Sequence, residues 1–400
     1  MARNGKTRLR AAAPIATLTA ILLLVSGAWS QGKYKTLHEF RGGTSGSAPW
    51  ANLTFDRAGN LYGATQMGGA FCTPGVCGLI FKLAPNTDGS WTESILYNFC
   101  SAANCTDGRE VTAGLIFDQE GNLYGETGAG GSSDSGVVFK LAPNPNGSWT
   151  ESVLYNFCSL ANCADGRAGG GGLIFDQAGN LYGTTSLGGG GSCPDGCGVV
   201  FQLTPNVDGS WKENVLHSFS GGTDGAGPQS GLTLDQAGNL YGTTLGGGSS
   251  TPCVFAVGCG VVFKLTPGGR EEILHRFTLK GGVNPFATLI IDDSGNLYGT
   301  TEAGGNLSLC GSGCGVVFEL TSGPNGGWRE KVVHYFKGGT GDEPTGELAF
   351  DGAGNLYGTT NIRWLQEAVS ILRLRRRIQA SAGLGGRLER NGASLLRERT

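Results

Sequence analysis

After its first thirty residues the sequence has no apolar run of the roughly 20 residues that a bilayer span requires, so no internal span is expected. None of its repeats has a helical period, which excludes solenoids of stacked helices. Charge is sparse, at 15%, and basic charge is scarcest where it would matter. Residues 1–30 hold four basic groups and no acids, and residues 361–400 hold nine Arg and three Glu. That leaves 16 basic and 29 acidic groups in residues 31–360. An acidic body lacks the Lys and Arg stripes that nucleic acid demands. Histidine is also scarce, with four in 400 residues and none beside a cysteine pair.

Glycine and cysteine are present in force. The 73 glycines would suit a disordered chain, but the 39% hydrophobic residues recur in a strict period, which argues for a packed, turn-rich β protein. The twelve cysteines fall into six close pairs: Cys72/Cys77, Cys100/Cys105, Cys158/Cys163, Cys193/Cys197, Cys253/Cys259 and Cys310/Cys314. A zinc site needs four ligands, and no histidine is near to complete one, so the pairs are read as disulfides that stiffen short loops. This agrees with residues 1–30, which read as an export signal. Arg3, Lys6, Arg8 and Arg10 precede an apolar core from Ala11 to Val25, and small Ala28 and Ser30 precede a cut at Gln31.

The stretch "FDQAGNLYGTT" at Phe175 occurs six times with small changes. Its Asn falls at 60, 122, 180, 239, 296 and 355, spacings of 57 to 62 residues. Each unit reads as four strands. The first is "GLIFD", as at Gly114–Asp118, and the second is "NLYGTT". The third is "GVVFKL", and the fourth starts at Trp91, Trp149, Trp211 or Trp328. The Asp of each motif (Asp56, Asp118, Asp176, Asp235, Asp292, Asp351) is expected to cap the "DxxGN" turn rather than bind calcium. Four antiparallel strands per unit predict an all-β chain, a six-bladed β-propeller of four-stranded blades. "YKTLHEF" (Tyr34–Phe40) is an orphan fourth strand, and the unit from Gly346 breaks off at Thr360. The N-terminal strand is therefore expected to close the incomplete last blade. The domains expected are a signal at 1–30, the propeller at 31–360 and an Arg-rich tail at 361–400. In the tail, Ser370–Leu374 could replace the third strand, but local propensity favours a short helix carrying Trp364, Leu365, Ala368, Ile371 and Leu372.

The pattern "FDxxGNLYGTTxxGG…GVVFKLTP" resembles the GloVer repeat of bacterial choice-of-anchor tandem-repeat proteins over residues 33–360. The resemblance implies an exported, surface-associated bacterial protein and brings no catalytic residues with it. Members often end in an anchoring signal, whereas residues 361–400 carry none that is recognisable.

Candidate site residues are few. His38, His217, His275 and His334 share one register that Tyr97 and Tyr155 fill in the other copies, so they are read as half-buried structural rings. Asp107, Asp165, Asp224 and Asp342 lie in the linkers that lead into the first strands. With Arg109 and Arg167 they are candidates for a binding face at a central channel. Glu126, where the motif has Thr, is the clearest departure from the repeat. The symmetry favours an exported, non-enzymatic scaffold, binding or surface-structural, whose partner is an unknown glycan, protein or cell-surface component, monomeric and without cofactor or metal. The alternative is a carbohydrate-active lyase or hydrolase with its site over the channel.

Overall fold

The computed structural model describes residues 36–72, 76–249, 253, 258–338 and 342–360, together with the backbone of the strand Ser370–Leu374. In the first blade, Thr54–Phe55, Leu61–Thr65, Leu79–Pro85 and Trp91–Asn98 form one antiparallel sheet in that order. Four more sheets repeat this order and end on the fourth strands Trp149–Asn156, Trp211–Ser218, Glu271–Arg276 and Trp328–Tyr335. A sixth sheet has three strands, Ala349–Phe350, Leu356–Thr360 and Ser370–Leu374. The fold is a β-propeller of six blade sheets.

The repeated motif is a hydrogen-bonded knot. The Asp176 carboxylate accepts from the N–H of Ala178 at 2.8 Å and of Asn180 at 2.9 Å. It also accepts from Asn180 Nδ2 at 2.7 Å and from the Tyr182 hydroxyl at 3.0 Å. Burial works against ionisation, but these donors outweigh it and hold Asp176 below the usual carboxylate range. The Gly of "LYG" is needed for a different reason. A Cβ on Gly299 would lie 2.6 Å from Cζ of Phe318, its partner across the strands, so the ring packs directly against bare backbone.

Seams between blades are stitched by backbone as well as by rings. Ala48, Glu110, Ala168, Gly227, Asn284 and Glu343 all have φ between 49° and 63°. In five of them the N–H reaches a carbonyl of the preceding blade: Glu110 to Cys77 at 2.7 Å, Ala168 to Ser135 and Gly227 to Cys197 at 2.8 Å, Asn284 to Cys259 and Glu343 to Cys314 at 3.2 Å. Alongside, Phe99 meets Phe139 edge-on at 5.0 Å, and Tyr62 meets Phe117 likewise. These contacts bury Leu115, Phe139, Leu173, Phe201, Leu232 and Phe263 almost completely. All six expected disulfides are present.

Three expectations change. The first strand is not continuous over Gly114–Asp118. In the second blade Arg109–Val111 and Ile116–Phe117 both pair with Leu123–Ala129, and the residues between them bulge out. The bulge spends its contacts on neighbouring blades instead of its own ladder. Next, Ser370–Leu374 is a strand, with Thr360 opposite Ser370 and Leu356 opposite Leu374. An unpaired edge on Leu356–Thr360 is a stronger pull than local helix propensity. Trp364, Leu365 and Ala368 of the expected helix lie outside the described residues.

Third, Thr36–Phe40 makes no strand pairing, and Tyr34 lies outside the described residues. Its side chains nevertheless sit as a fourth strand's would. Phe40 meets Phe81 at 4.8 Å as Phe219 meets Phe263 at 5.2 Å. His38 lies 3.4 Å from Glu93, the distance that separates His217 from Glu271.

Candidate functional site

The bulges place one residue of each repeat against its neighbours. Asn52, Gly114, Gly172, Gly231, Thr288 and Glu347 share this position. A Cβ on Gly114 would meet Asn52 at 3.3 Å, and one on Gly231 would meet the Thr288 hydroxyl at 2.6 Å. The Glu347 carboxyl accepts hydrogen bonds from both Thr288 and Asn52, joining the fifth, sixth and first blades. Glycine fills this position in three repeats, so a carboxyl here breaks the symmetry. Glu347 is exposed by surface area, yet its carboxyl is crowded enough that burial raises its pKa despite the two donors. Trp50, 74% exposed, is two residues from Asn52.

Glu126 breaks the symmetry a second time. It is fully buried, and that burial pushes its carboxyl up to about 8; the amides of Gly172 and Gly170 offset only part of the effect. No hydrogen bond of full geometry closes on either oxygen. The run Gly169–Gly172 makes the room: a Cβ on Gly169 would lie 3.0 Å from Glu126 Cβ. At neutral pH this is a carboxylic acid, not a carboxylate.

A third set of polar groups lies between the outer strands. The Tyr97 hydroxyl donates to Asp107 at 2.8 Å, and Glu151 of the next blade faces them. Tyr155, Asp165 and Glu213 repeat the arrangement. Burial, helped by the neighbouring aspartate, raises Glu151 and Glu213 to about 7. In the third copy His217 replaces the tyrosine, and burial and then Asp224 raise Glu271 to about 7. His275 faces Glu330 at 3.5 Å, and burial lowers its pKa to about 4.

The aspartates singled out in the sequence are not brought together. Asp107 is buried and also accepts from the Ser101 N–H and hydroxyl at 2.8 Å. Asp165 accepts from the N–H of Ser159 at 2.7 Å and of Leu160 at 3.1 Å. Asp224 accepts from the Ser220 N–H at 2.9 Å. Asp342 is half-buried, and burial raises its pKa. Arg109 forms a two-pronged pair with Asp134 at 3.1 and 3.0 Å, and Arg167 lies 3.4 Å from Asp195. Each histidine stands edge-on to the Phe two residues on; His38, His217 and His275 are half-buried as expected, whereas His334 is buried. Sequence reasoning missed Glu347, Asn52, Thr288 and Trp50. Aligning the six copies at "GL" would have exposed Asn52, Thr288 and Glu347, which stand where three copies have glycine; Trp50 gave no such signal.

A family profile described as the Gloeobacter/Verrucomicrobia repeat matches residues 24–194 and 190–365. No curated protein matches the chain. Among solved structures, a glucose dehydrogenase is similar at 14% identity and a TM-score of 0.47, with 86% of this chain and 100% of that one covered. A gluconolactonase from Xanthomonas campestris is similar at 15% identity and a TM-score of 0.36, with 62% and 67% covered. A luciferin-regenerating enzyme is similar at 14% identity and a TM-score of 0.38, with 68% and 91% covered. At such identities the likeness concerns architecture alone. The expectation of a non-enzymatic scaffold is corrected here. Its premise, that the polar residues are nearly all repeat copies, fails at Glu126 and at Glu347, which stands where three repeats have glycine.

Proposed function

The chain belongs to the Gloeobacter/Verrucomicrobia repeat family, and we propose that this member is an extracellular enzyme, a hydrolase or lyase of carbohydrate-type substrates. The carrying observation is Glu347, a carboxyl that stands where three repeats have glycine, hydrogen-bonded by Thr288 and Asn52 and raised in pKa by burial. A carboxyl tuned upward toward neutral pH serves as a general acid or base at an acetal, ester or lactone carbon. Trp50, exposed and two residues from Asn52 in the chain, offers an aromatic face suited to the apolar face of a sugar ring. Glu126 lies fully buried, out of a substrate's reach, and its neutral carboxyl fills the space beside the run Gly169–Gly172. The export signal read in residues 1–30 and the six disulfides support an extracellular setting.

The test is a turnover screen of the disulfide-intact protein against polysaccharides, uronate-containing glycans and sugar lactones. New reducing ends, unsaturated products and ring opening are the readouts. Turnover of at least one class is expected. Silence across the panel would remove the proposal.

A further inference from the structure

The third copy of the outer cluster differs from the others in a way that bears on metal binding. His217 Nε2 lies 3.4 Å from Glu271 Oε1 and 3.7 Å from Asp224 Oδ2. One ligand atom from each of the three residues falls within 4.8 Å of the others. Neither His217 Nε2 nor Glu271 Oε1 has a hydrogen-bond partner, although both atoms are shielded from solvent. Two ligands held about 2.0–2.1 Å from a tetrahedral ion stand about 3.3 Å apart, close to the shorter separation seen here. The distances are too long for good hydrogen bonds and right for sharing a cation.

Among the described residues, no other copy gathers three such ligand atoms. Tyr97 and Tyr155 donate their hydroxyls to Asp107 and Asp165 at 2.8 Å, and their phenols are pushed further from ionisation, chiefly by burial. His38 and His275 each face one glutamate and, among the described residues, no second carboxylate. Asp224 is held in place by the N–H and hydroxyl of Ser220, an outer support that fixes its orientation. A rival cluster, Cys72, Cys77 and Cys100, offers no thiolate because all three are in disulfides.

We propose that His217, Asp224 and Glu271 form a three-ligand site for a divalent transition cation of the zinc class, with open coordination for water, at the seam between the third and fourth blades. One nitrogen and two carboxylate oxygens suit such an ion, and three protein ligands are the number found in open zinc sites. Glu271 comes from the blade after the one that supplies His217, so the ion clamps the two together.

The experiment is equilibrium dialysis of chelator-stripped, disulfide-intact protein against Zn²⁺ and, in parallel, Ca²⁺. One equivalent of Zn²⁺ is expected to bind, in preference to Ca²⁺, and to raise the melting temperature. His217→Tyr installs the side chain that the repeat itself uses at positions 97 and 155, so it is compatible with the blade. It should weaken zinc binding at least about tenfold and abolish the thermal shift. His275→Tyr, at the copy lacking the aspartate, should leave both unchanged. No stoichiometric zinc, a calcium preference, wild-type binding by His217→Tyr, or an equal loss in His275→Tyr would each overturn the site.

Discussion

The N–H of Glu110 donates to the carbonyl of Cys77 at 2.7 Å, across the seam between the first and second blades. Glu110 holds a left-handed φ of 62° to make that bond, and Cys77 is fixed by its bridge to Cys72. Four of the five such acceptors, Cys77, Cys197, Cys259 and Cys314, are disulfide cysteines. The bridges therefore do more than close short loops: they present a carbonyl to the next blade. The fifth acceptor, Ser135, lies in a loop held instead by the pair Arg109–Asp134.

Replacing Cys193 and Cys197 by serine should therefore destabilise the fold by about 2 kcal/mol, the scale for a small closed loop. Replacing Cys100 and Cys105, which supply no such carbonyl, should cost less. Thermal melts of the two double variants check the order.

Gly299→Ala should be costly for a single methyl. The new Cβ would lie 2.6 Å from the Phe318 ring, and overpacking of this kind costs about 1–3 kcal/mol. A denaturant midpoint within error of wild type would contradict the packing described.

Removing the Asp176 carboxylate should cost about 1–2 kcal/mol, since four donors lose their acceptor together. The same change at Asp292, in a distant blade, should add to it without coupling. Melts of the single and double variants measure both quantities.

Glu126 sets a pH dependence whose sign is fixed. Its folded value of about 8 lies above that of an unfolded glutamate, so the folded state holds a proton that the unfolded state has lost. Its contribution is neutral below about pH 4.5 and increasingly unfavourable as pH rises to about 8. Glu126→Thr, the residue of the other repeats, should flatten the fall in melting temperature between pH 5 and pH 8. An unchanged slope would mean that the carboxyl is not held neutral.

Much of this was legible in the sequence, because the repeat encodes what happens within a blade. The turn at Asp176, the strand after it and the neighbouring cysteine pairs depend on residues close in the chain. What crosses a seam was not legible. The bulge at Thr112–Leu115 forms because its contacts lie on other blades, one of them at Asn52. Glu126 stood out as an oddity, but its burial depends on Gly169–Gly172, more than forty residues away. Ser370–Leu374 has helical propensity, and only the free edge of Leu356–Thr360 makes it a strand.

The functional claim rests on Glu347, so the most direct measurement is kcat for Glu347→Gln against wild type on a substrate the screen returns. The amide keeps the hydrogen-bonding shape toward Thr288 and Asn52 but cannot exchange a proton. A loss of about 10²–10⁴-fold with an unchanged melting temperature is predicted. A kcat within about twofold of wild type would contradict the assignment, since general acid–base groups contribute far more than that.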